Sequence, residues 1–321
     1  MKAIRVRKFG GPEVLRLDTV DDPRPGRGQL LIRMHAVGIN PVETYIRAGQ
    51  YATLPELPWT PGTDGSGTVE AVGQGAIGFR AGQRVYVAGT ATGSYAELAV
   101  ADADDVHPLP DNVSFEQGAA IGVPYATAYR ALFQRARALP GETVLVHGGT
   151  GAVGMATVQL AVAAGLRVLA SGGSETGRAL LTAQGAAYVF DHHHPETLSG
   201  LLDFTHGRGA DVVVEMLANA NLGDDLRILA EGGRIAVVGC RGTVEINPRD
   251  LMQRSGTILG VLLWKTSVVD MVRIHAALRA GLAAGSLKPI IARHWPLGQA
   301  PQAHRALHAA EAAHGKLVLI P

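Results

Sequence analysis

The stretch Val144-Leu145-Val146-His147-Gly148-Gly149-Thr150-Gly151-Ala152-Val153-Gly154 decides the fold. An apolar run leads into glycines spaced G-x-G-x-x-G, and a helical segment follows from about Ala152. Each glycine has its own task in that setting. Gly149 permits the tight turn, Gly151 lets the backbone approach a pyrophosphate, and Gly154 allows a helix to pack closely on a sheet. Unbonded amides at the helix start, with the helix dipole behind them, then form a site for an anion.

Outward from the loop, strand-like and helical stretches alternate. Residues 143–147, 167–170, 188–190, 211–217, 234–239 and 257–263 read as strands, with a helix near 175–184. Near-continuous apolar strands separated by helices predict a parallel sheet covered on both faces, a doubly wound α/β domain of the Rossmann type. The first 110 residues differ. Runs 29–34, 67–72 and 84–88 are short, β-rich and bounded by Gly, Pro or Asp, which predicts a small, partly open antiparallel barrel. Ser114-Phe115-Glu116-Gln117 is a capping-box pattern, and Pro124 breaks or restarts the helix that continues over 125–138. After residue 263 a helix (268–284), a strand (289–293), a helix (301–313) and a strand (316–320) are expected to return to the first domain. The expected division is 1–123 with 265–321 for the β-rich domain, and 124–264 for the nucleotide-binding domain.

Composition narrows the function. A length of 321 residues favours two domains. Glycine, at 41 residues, is nearly twice the usual ~7%, and 47% of residues are hydrophobic, so turns rather than disorder explain the glycine. A net charge of +1 gives no bulk attraction for nucleic acid or a membrane surface. The single cysteine, Cys240, excludes an internal disulfide framework and a cysteine-rich zinc site. No apolar run reaches ~18 residues and no signal-peptide pattern opens the chain, so a cytoplasmic setting is expected. Neither a nucleophile elbow nor a Walker loop occurs, which leaves hydrolase and kinase readings without an anchor.

Nucleotide choice is read about 20 residues beyond the loop, where an acid would bind the ribose hydroxyls. Here stand Ala170-Ser171-Gly172-Gly173-Ser174, without a carboxylate, and Arg178 lies one helical turn further on. A 2′-phosphate would meet no repulsion there and could pair with Arg178, so NADP(H) is the expected cofactor. Glu175 weakens that argument, and Arg178 reads equally well as a solvated helix residue. His192-His193-His194 does not read as a metal site, because consecutive side chains point in different directions. His192, after the third parallel strand, is instead a candidate to cover the adenine. Cys240 reads as a neighbour of the nucleotide, since no base that would activate it is identifiable.

Several longer blocks carry a family resemblance. They include Phe9-Gly10-Gly11-Pro12-Glu13-Val14-Leu15, Gly38-Ile39-Asn40-Pro41-Val42-Glu43-Thr44-Tyr45-Ile46-Arg47, Pro61-Gly62-Thr63-Asp64, Gln117-Gly118-Ala119-Ala120-Ile121-Gly122 and Glu215-Met216-Leu217-Ala218-Asn219. Arg241-Gly242-Thr243 and Glu245-Ile246-Asn247-Pro248-Arg249-Asp250 complete the series. Over almost its full length the chain resembles the zinc-independent medium-chain dehydrogenases/reductases, specifically the quinone oxidoreductases of the zeta-crystallin type. That resemblance implies a GroES-like, mainly β barrel domain beside the Rossmann-type sheet. Zinc-dependent relatives carry a cysteine at the place of Asn40, Gly-His-Glu at Gly62-Thr63-Asp64, and a cysteine near Val123, so no catalytic zinc is expected.

The resemblance also implies a nicotinamide pocket at a domain cleft. Tyr45 would lie beside the nicotinamide, with Thr127 as a further contact, and Thr150, Gly151, Ala152 and Val153 under the pyrophosphate. Gly173 and His192 would edge the adenosine, Asn221 its ribose, and Arg178 the extra phosphate. Val238, Gly239, Cys240 and Arg241 with Val261, Leu262 and Leu263 would complete the groove. The implied reaction is NADPH-dependent reduction of a quinone, with Asn40, Tyr45 and Tyr51 as candidates to hydrogen-bond its oxygen as negative charge develops. Asn40 also reads as a turn residue, and Tyr51 as a simple wall of the pocket. Two rivals remain: reduction of α,β-unsaturated aldehydes or ketones, and a nucleotide-binding structural or RNA-associated role with little turnover. A homodimer or homotetramer is implied, with residues 257–263 as an edge strand that could pair with its copy.

Overall fold

The computed structural model describes residues 1–194, 197–307 and 314–321. The chain divides into two compact units, Met1–Val123 with Arg279–Pro321, and Pro124–Leu278. The second boundary falls at Arg279 rather than at 265. The reason is local: Gln134 Nε2 donates to Asp270 O at 3.2 Å and Arg130 Nη2 to Lys265 O at 3.5 Å, which ties the first turns of the helix Val268–Ala283 to the π-helical segment Arg130–Arg135.

The second unit holds a six-stranded parallel sheet in the spatial order Tyr188–Phe190, Arg167–Ser171, Thr143–Val146, Ala210–Glu215, Leu229–Val237, Thr257–Gly260. Every residue of Thr143–Val146 and Ala210–Glu215 is buried, as expected for central strands covered on both faces. Leu145, Leu169, Val213 and Ile235 from the sheet pack with Leu201, Leu222 and Leu226 from the helices. Three expected strands of this sheet have limits that differ by two residues or more. The strand expected over 211–217 stops at Glu215, whose carboxylate accepts the Leu217 amide and turns the chain. The one expected over 234–239 starts at Leu229 and runs through Gly232 and Gly233. The one expected over 257–263 ends at Gly260, and a 3₁₀ turn follows over Leu263–Lys265. The helix Thr197–Phe204 had no sequence expectation.

The first unit is built on a seven-stranded sheet ordered Ile291–Pro296, Lys316–Ile320, Gln29–Gly38, Asp64–Val72, Arg84–Ala88, Val106–Pro108, with Leu98–Asp102 also paired to Gln29–Gly38. All pairings are antiparallel except Ile291–Pro296 with Lys316–Ile320. Ile4, Leu30, Ile32, Val69, Val87, Tyr95, Trp295 and Leu319 form its core. The capping box at Ser114 is present: its hydroxyl accepts the Gln117 amide at 3.2 Å, and Gln117 Oε1 accepts the Ser114 amide at 3.1 Å. Pro124 sits in the first turn of the helix Gly122–Tyr129, where its missing N–H is tolerated. The helix expected over 301–313 is described as Ala300–Ala306; residues 308–313 lie outside the described residues.

Candidate functional site

In the second unit, the strand Thr143–Val146 delivers the chain to Gly148, whose φ of +55° favours glycine. Ser171, ending the next strand, fixes the turn: its hydroxyl accepts the Gly148 amide at 3.0 Å and its carbonyl the Gly149 amide at 2.9 Å. A Cβ on Gly154 would lie 2.3 Å from Gly148 O and 2.7 Å from Gly149 Cα, so helix and turn touch there. Gly151, exposed, is the N-cap of the helix Ala152–Ala163 and offers no side chain to its amides. A Cβ on Gly151 would meet only Gly148 O, at 3.5 Å, so the space over the amides of Ala152 and Val153 is open. Uncapped donors beneath an open space fit an anionic linkage.

The other cofactor candidates of this unit lie at the strand ends or beside them. Thr150 is half-buried. Gly173 faces His192, whose Cε1 would be 3.0 Å from a Cβ there, and His192 packs edge-on against His193 at 4.2 Å. Arg178 is already engaged: its Nη1 donates to Asp191 Oδ2 at 2.7 Å and to Gly172 O at 3.2 Å. Asn221 donates to Glu215 Oε1 at 3.1 Å. Val238 and Gly239 both donate to the Glu215 carbonyl, at 2.8 and 3.2 Å. Cys240 is exposed and its thiol turns onto Gly242 O, while the Arg241 amide donates to Asn219 Oδ1 at 2.7 Å. Val261 and Leu263 are buried and Leu262 is exposed. Thr127, nearly buried on the helix Gly122–Tyr129, makes no hydrogen bond with its hydroxyl among the described residues.

Beneath the loop lies a group that sequence reasoning missed. His147 Nε2 is 2.7 Å from Asp225 Oδ1 and 3.6 Å from Glu215 Oε2, all three side chains being buried. Burial opposes a charge on the imidazole, but the hydrogen bond to Asp225 and the two carboxylates outweigh it and hold His147 above its ordinary pKa. Burial pushes Glu215 up as well. These three side chains bring ligand-type atoms within 4.8 Å of one another. The proton that His147 holds offsets part of the charge of the two carboxylates. Glu215 then holds Leu217 and Asn221 in place at the strand end.

In the first unit, Asn40 is the N-cap of the short helix Pro41–Arg47 and is 2% exposed. Lys316 Nζ donates to Asn40 Oδ1 at 2.6 Å and to Asp64 Oδ2 at 2.9 Å. Asn40 Nδ2 donates to the same Asp64 oxygen at 2.9 Å, and the Val123 amide donates to Asp64 Oδ1 at 2.8 Å. The network extends further. Glu43 accepts from Asn40 N at 3.0 Å, Tyr95 OH at 2.6 Å and Thr63 N at 3.2 Å, while Tyr95 and Arg47 both reach His304. Burial drives the Glu43 pKa up to about 7 in spite of these donors. Asn40 therefore has its amide committed within the protein, unlike Tyr51, whose hydroxyl makes no hydrogen bond among the described residues. Tyr51 and Tyr45 are both half-buried. A cavity of about 570 Å³ in this unit has a mixed lining that includes Arg5, Glu43, Ile46, Leu54, Trp59 and Thr63.

The residues around Lys316 do not suit a zinc ion. Asn40 Oδ1 and Asp64 Oδ2 both accept from the lysine, the Val123 N–H occupies the other Asp64 oxygen, and the ammonium already supplies the positive charge.

A parallel six-stranded sheet with an uncapped glycine turn, joined to a mainly antiparallel barrel-like unit, defines a two-domain dinucleotide-binding dehydrogenase/reductase. The comparisons agree. The family described as "Alcohol dehydrogenase GroES-like domain" matches residues 26–111, and "Zinc-binding dehydrogenase" matches residues 152–276. A quinone oxidoreductase of Rattus norvegicus is 47% identical over 321 residues, covering 100% of this chain and 98% of the relative. An Escherichia coli quinone oxidoreductase solved with NADPH superposes with a TM-score of 0.90 at 30% identity, covering both chains fully. The crystal structure of an NAD-dependent alcohol dehydrogenase gives 0.93 at the same identity and coverage. The chain belongs to the quinone oxidoreductases of the zeta-crystallin type, the zinc-independent branch of the medium-chain dehydrogenases/reductases.

Proposed function

We propose that this protein is an NADPH-dependent quinone reductase that works without a metal. The observation that carries the reading is the open, uncapped turn at Gly151, with no carboxylate in Ser171-Gly172-Gly173-Ser174 to repel a 2′-phosphate. The amides of Ala152 and Val153 hold the pyrophosphate, Gly173 and His192 edge the adenosine, and Arg178 turns part of its guanidinium to the 2′-phosphate. Asn221, fixed by Glu215, and the segment Val238 to Arg241 support the ribose side. When bound, the dinucleotide supplies a hydride from nicotinamide C4. The chain's own contribution on the acceptor side is orientation, and Tyr51 donates a hydrogen bond to the acceptor oxygen as charge grows there. Tyr45 stands on the same side as a second wall. Quinone oxygens are protonated by water, so no dedicated acid is required.

The assembly is a homodimer. Trp264, Val268, Val269 and Val272 expose 48–71% of their surface within one short segment, and Thr257–Gly260 is an edge strand paired on one side only. An apolar patch beside an open edge supports pairing across a two-fold axis.

NADPH consumption measured with a quinone, with an enone and without an acceptor tests the activity. Quinone-dependent turnover supports the proposal. Enone preference, or tight nucleotide binding with no turnover, replaces it.

A further inference from the structure

We propose that Lys316 is a positioning residue: its ammonium is a tethered resident cation that clamps Asn40 to Asp64 and so fixes the start of the helix carrying Tyr45. Lys316 is 2% exposed, and two of its three N–H groups have identified acceptors, Asn40 Oδ1 at 2.6 Å and Asp64 Oδ2 at 2.9 Å. A buried ammonium persists only where a counter-charge and acceptors surround it, and Asp64, fully buried, supplies that charge.

The clamp is built in from several directions. Asp64 receives the Val123 amide on its other oxygen, and Ser94 Oγ donates to the Asp64 carbonyl at 2.9 Å. Gly38 leaves room for the lysine stem, since a Cβ there would lie 2.7 Å from Lys316 Cε and 2.1 Å from Ala119 O. With Lys316 on Oδ1 and Asp64 on Nδ2, the Asn40 amide has one orientation. Glu43 then completes the capping box through the Asn40 N–H. The helix Pro41–Arg47 has seven residues, too few to be stable or oriented by itself, so its direction is set by what holds its first turn. Removing the ammonium leaves Asp64 without its counter-charge and Asn40 Oδ1 without its donor, so the first turn keeps only the direct Asn40–Asp64 bond and the capping box. Tyr45 is thereby misplaced, although no group that touches the nucleotide loop has changed.

The experiment compares Lys316→Ala, Lys316→Met and Lys316→Arg with the wild type by thermal melting and by steady-state kinetics. Lys316→Met keeps the volume of the stem and removes the charge, so it remains informative if Lys316→Ala does not fold. Lys316→Met is expected to melt cooperatively at a lower temperature, with kcat for a quinone reduced at least tenfold and the KM for NADPH within twofold of wild type. Ethylammonium at 100 mM is expected to raise the melting temperature and kcat of Lys316→Ala, and to leave wild type and Lys316→Met unchanged. Wild-type kcat in Lys316→Met overturns the proposal, as does an ethylammonium response equal in all proteins. The kinetic arm rests on quinone reduction being the activity. The melting arm needs no substrate, so an inactive wild type would refute that activity while leaving the clamp decided by ethylammonium alone.

Discussion

A pair of alanine substitutions in the glycine turn separates packing from ligand binding. At Gly154 the added Cβ would sit 2.3 Å from Gly148 O and 2.7 Å from Gly149 Cα, where contacts of about 3.5 Å are comfortable. Both are main-chain atoms, so the helix and turn must part by roughly 1 Å, and overpacking of this kind costs about 1–3 kcal/mol. Gly154→Ala should therefore lower the melting temperature by roughly 3–10 °C with no nucleotide present. At Gly151 the new Cβ meets one atom at 3.5 Å, and φ −73°, ψ 169° suits alanine. Fewer unfolded conformations then make Gly151→Ala neutral or more stable by about 0.4–1 kcal/mol. Its methyl group, however, stands over the amides assigned to the pyrophosphate. Losing two charge-assisted hydrogen bonds at about 1.5–3 kcal/mol each weakens NADPH binding at least about 100-fold. The assay is differential scanning fluorimetry with and without NADPH, backed by calorimetric titration. Saturating NADPH should raise the wild-type melting temperature and leave that of Gly151→Ala unmoved. A Gly151→Ala protein that binds NADPH with the wild-type Kd would refute the placement of the anion.

The remaining predictions concern charge, selectivity, the acceptor and assembly. Folded Glu43 titrates near 7 against an ordinary 4.5, so the native state holds an extra proton between those values and its stability falls as pH rises through that window, by about 3 kcal/mol for this group. Melting temperature measured from pH 5 to 8 should show the fall, and Glu43→Gln, though less stable, should lose that part of the slope; an unchanged slope rejects the assignment. Arg178→Ala should weaken NADPH about 10- to 100-fold and NADH less than about threefold; equal losses would mean that the arginine serves only Asp191. Tyr51→Phe should lower kcat for a quinone about 5- to 10-fold with KM for NADPH unchanged, which steady-state kinetics would reveal or deny. Val268→Asp with Val272→Asp should turn a dimer into a monomer on size-exclusion chromatography with light scattering, and a monomeric wild type would end the proposal of a dimer.

The nucleotide loop was legible because its information is local. Strand, three spaced glycines and helix fall within eleven residues; Gly149 and Gly154 answer close contacts that the structure contains, while Gly151 leaves an open space. The strand series was legible for the same reason, but its ends were not. An apolar run over 257–263 carries no mark showing that hydrogen bonding stops at Gly260. The first unit's centre was legible only as separate letters. Asn40 reads as a turn residue or a donor, yet it is bound by a lysine 276 residues away, and Asp64 by the same lysine across 252. One signal was present: a lysine opening the otherwise apolar Lys316-Leu317-Val318-Leu319-Ile320 needs a buried counter-charge. His147 was read as a letter of the loop because Asp225, which fixes its proton, lies 78 residues on. Arg178 read as either a phosphate partner or a surface residue, and the structure adds a third role as the partner of Asp191.

The strand Lys316–Ile320 lies between Ile291–Pro296 and Gln29–Gly38, with Val318 opposite Gly38. During translation the ribosome delivers that inner strand about 280 residues after Gln29–Gly38, a delay of roughly 15–60 s at ordinary elongation rates. The parallel sheet is synthesised entirely within that interval and can close first. Meanwhile the early β-hairpins wait with an open seam, and a nascent chain in this condition is the stage most exposed to aggregation and most dependent on chaperones.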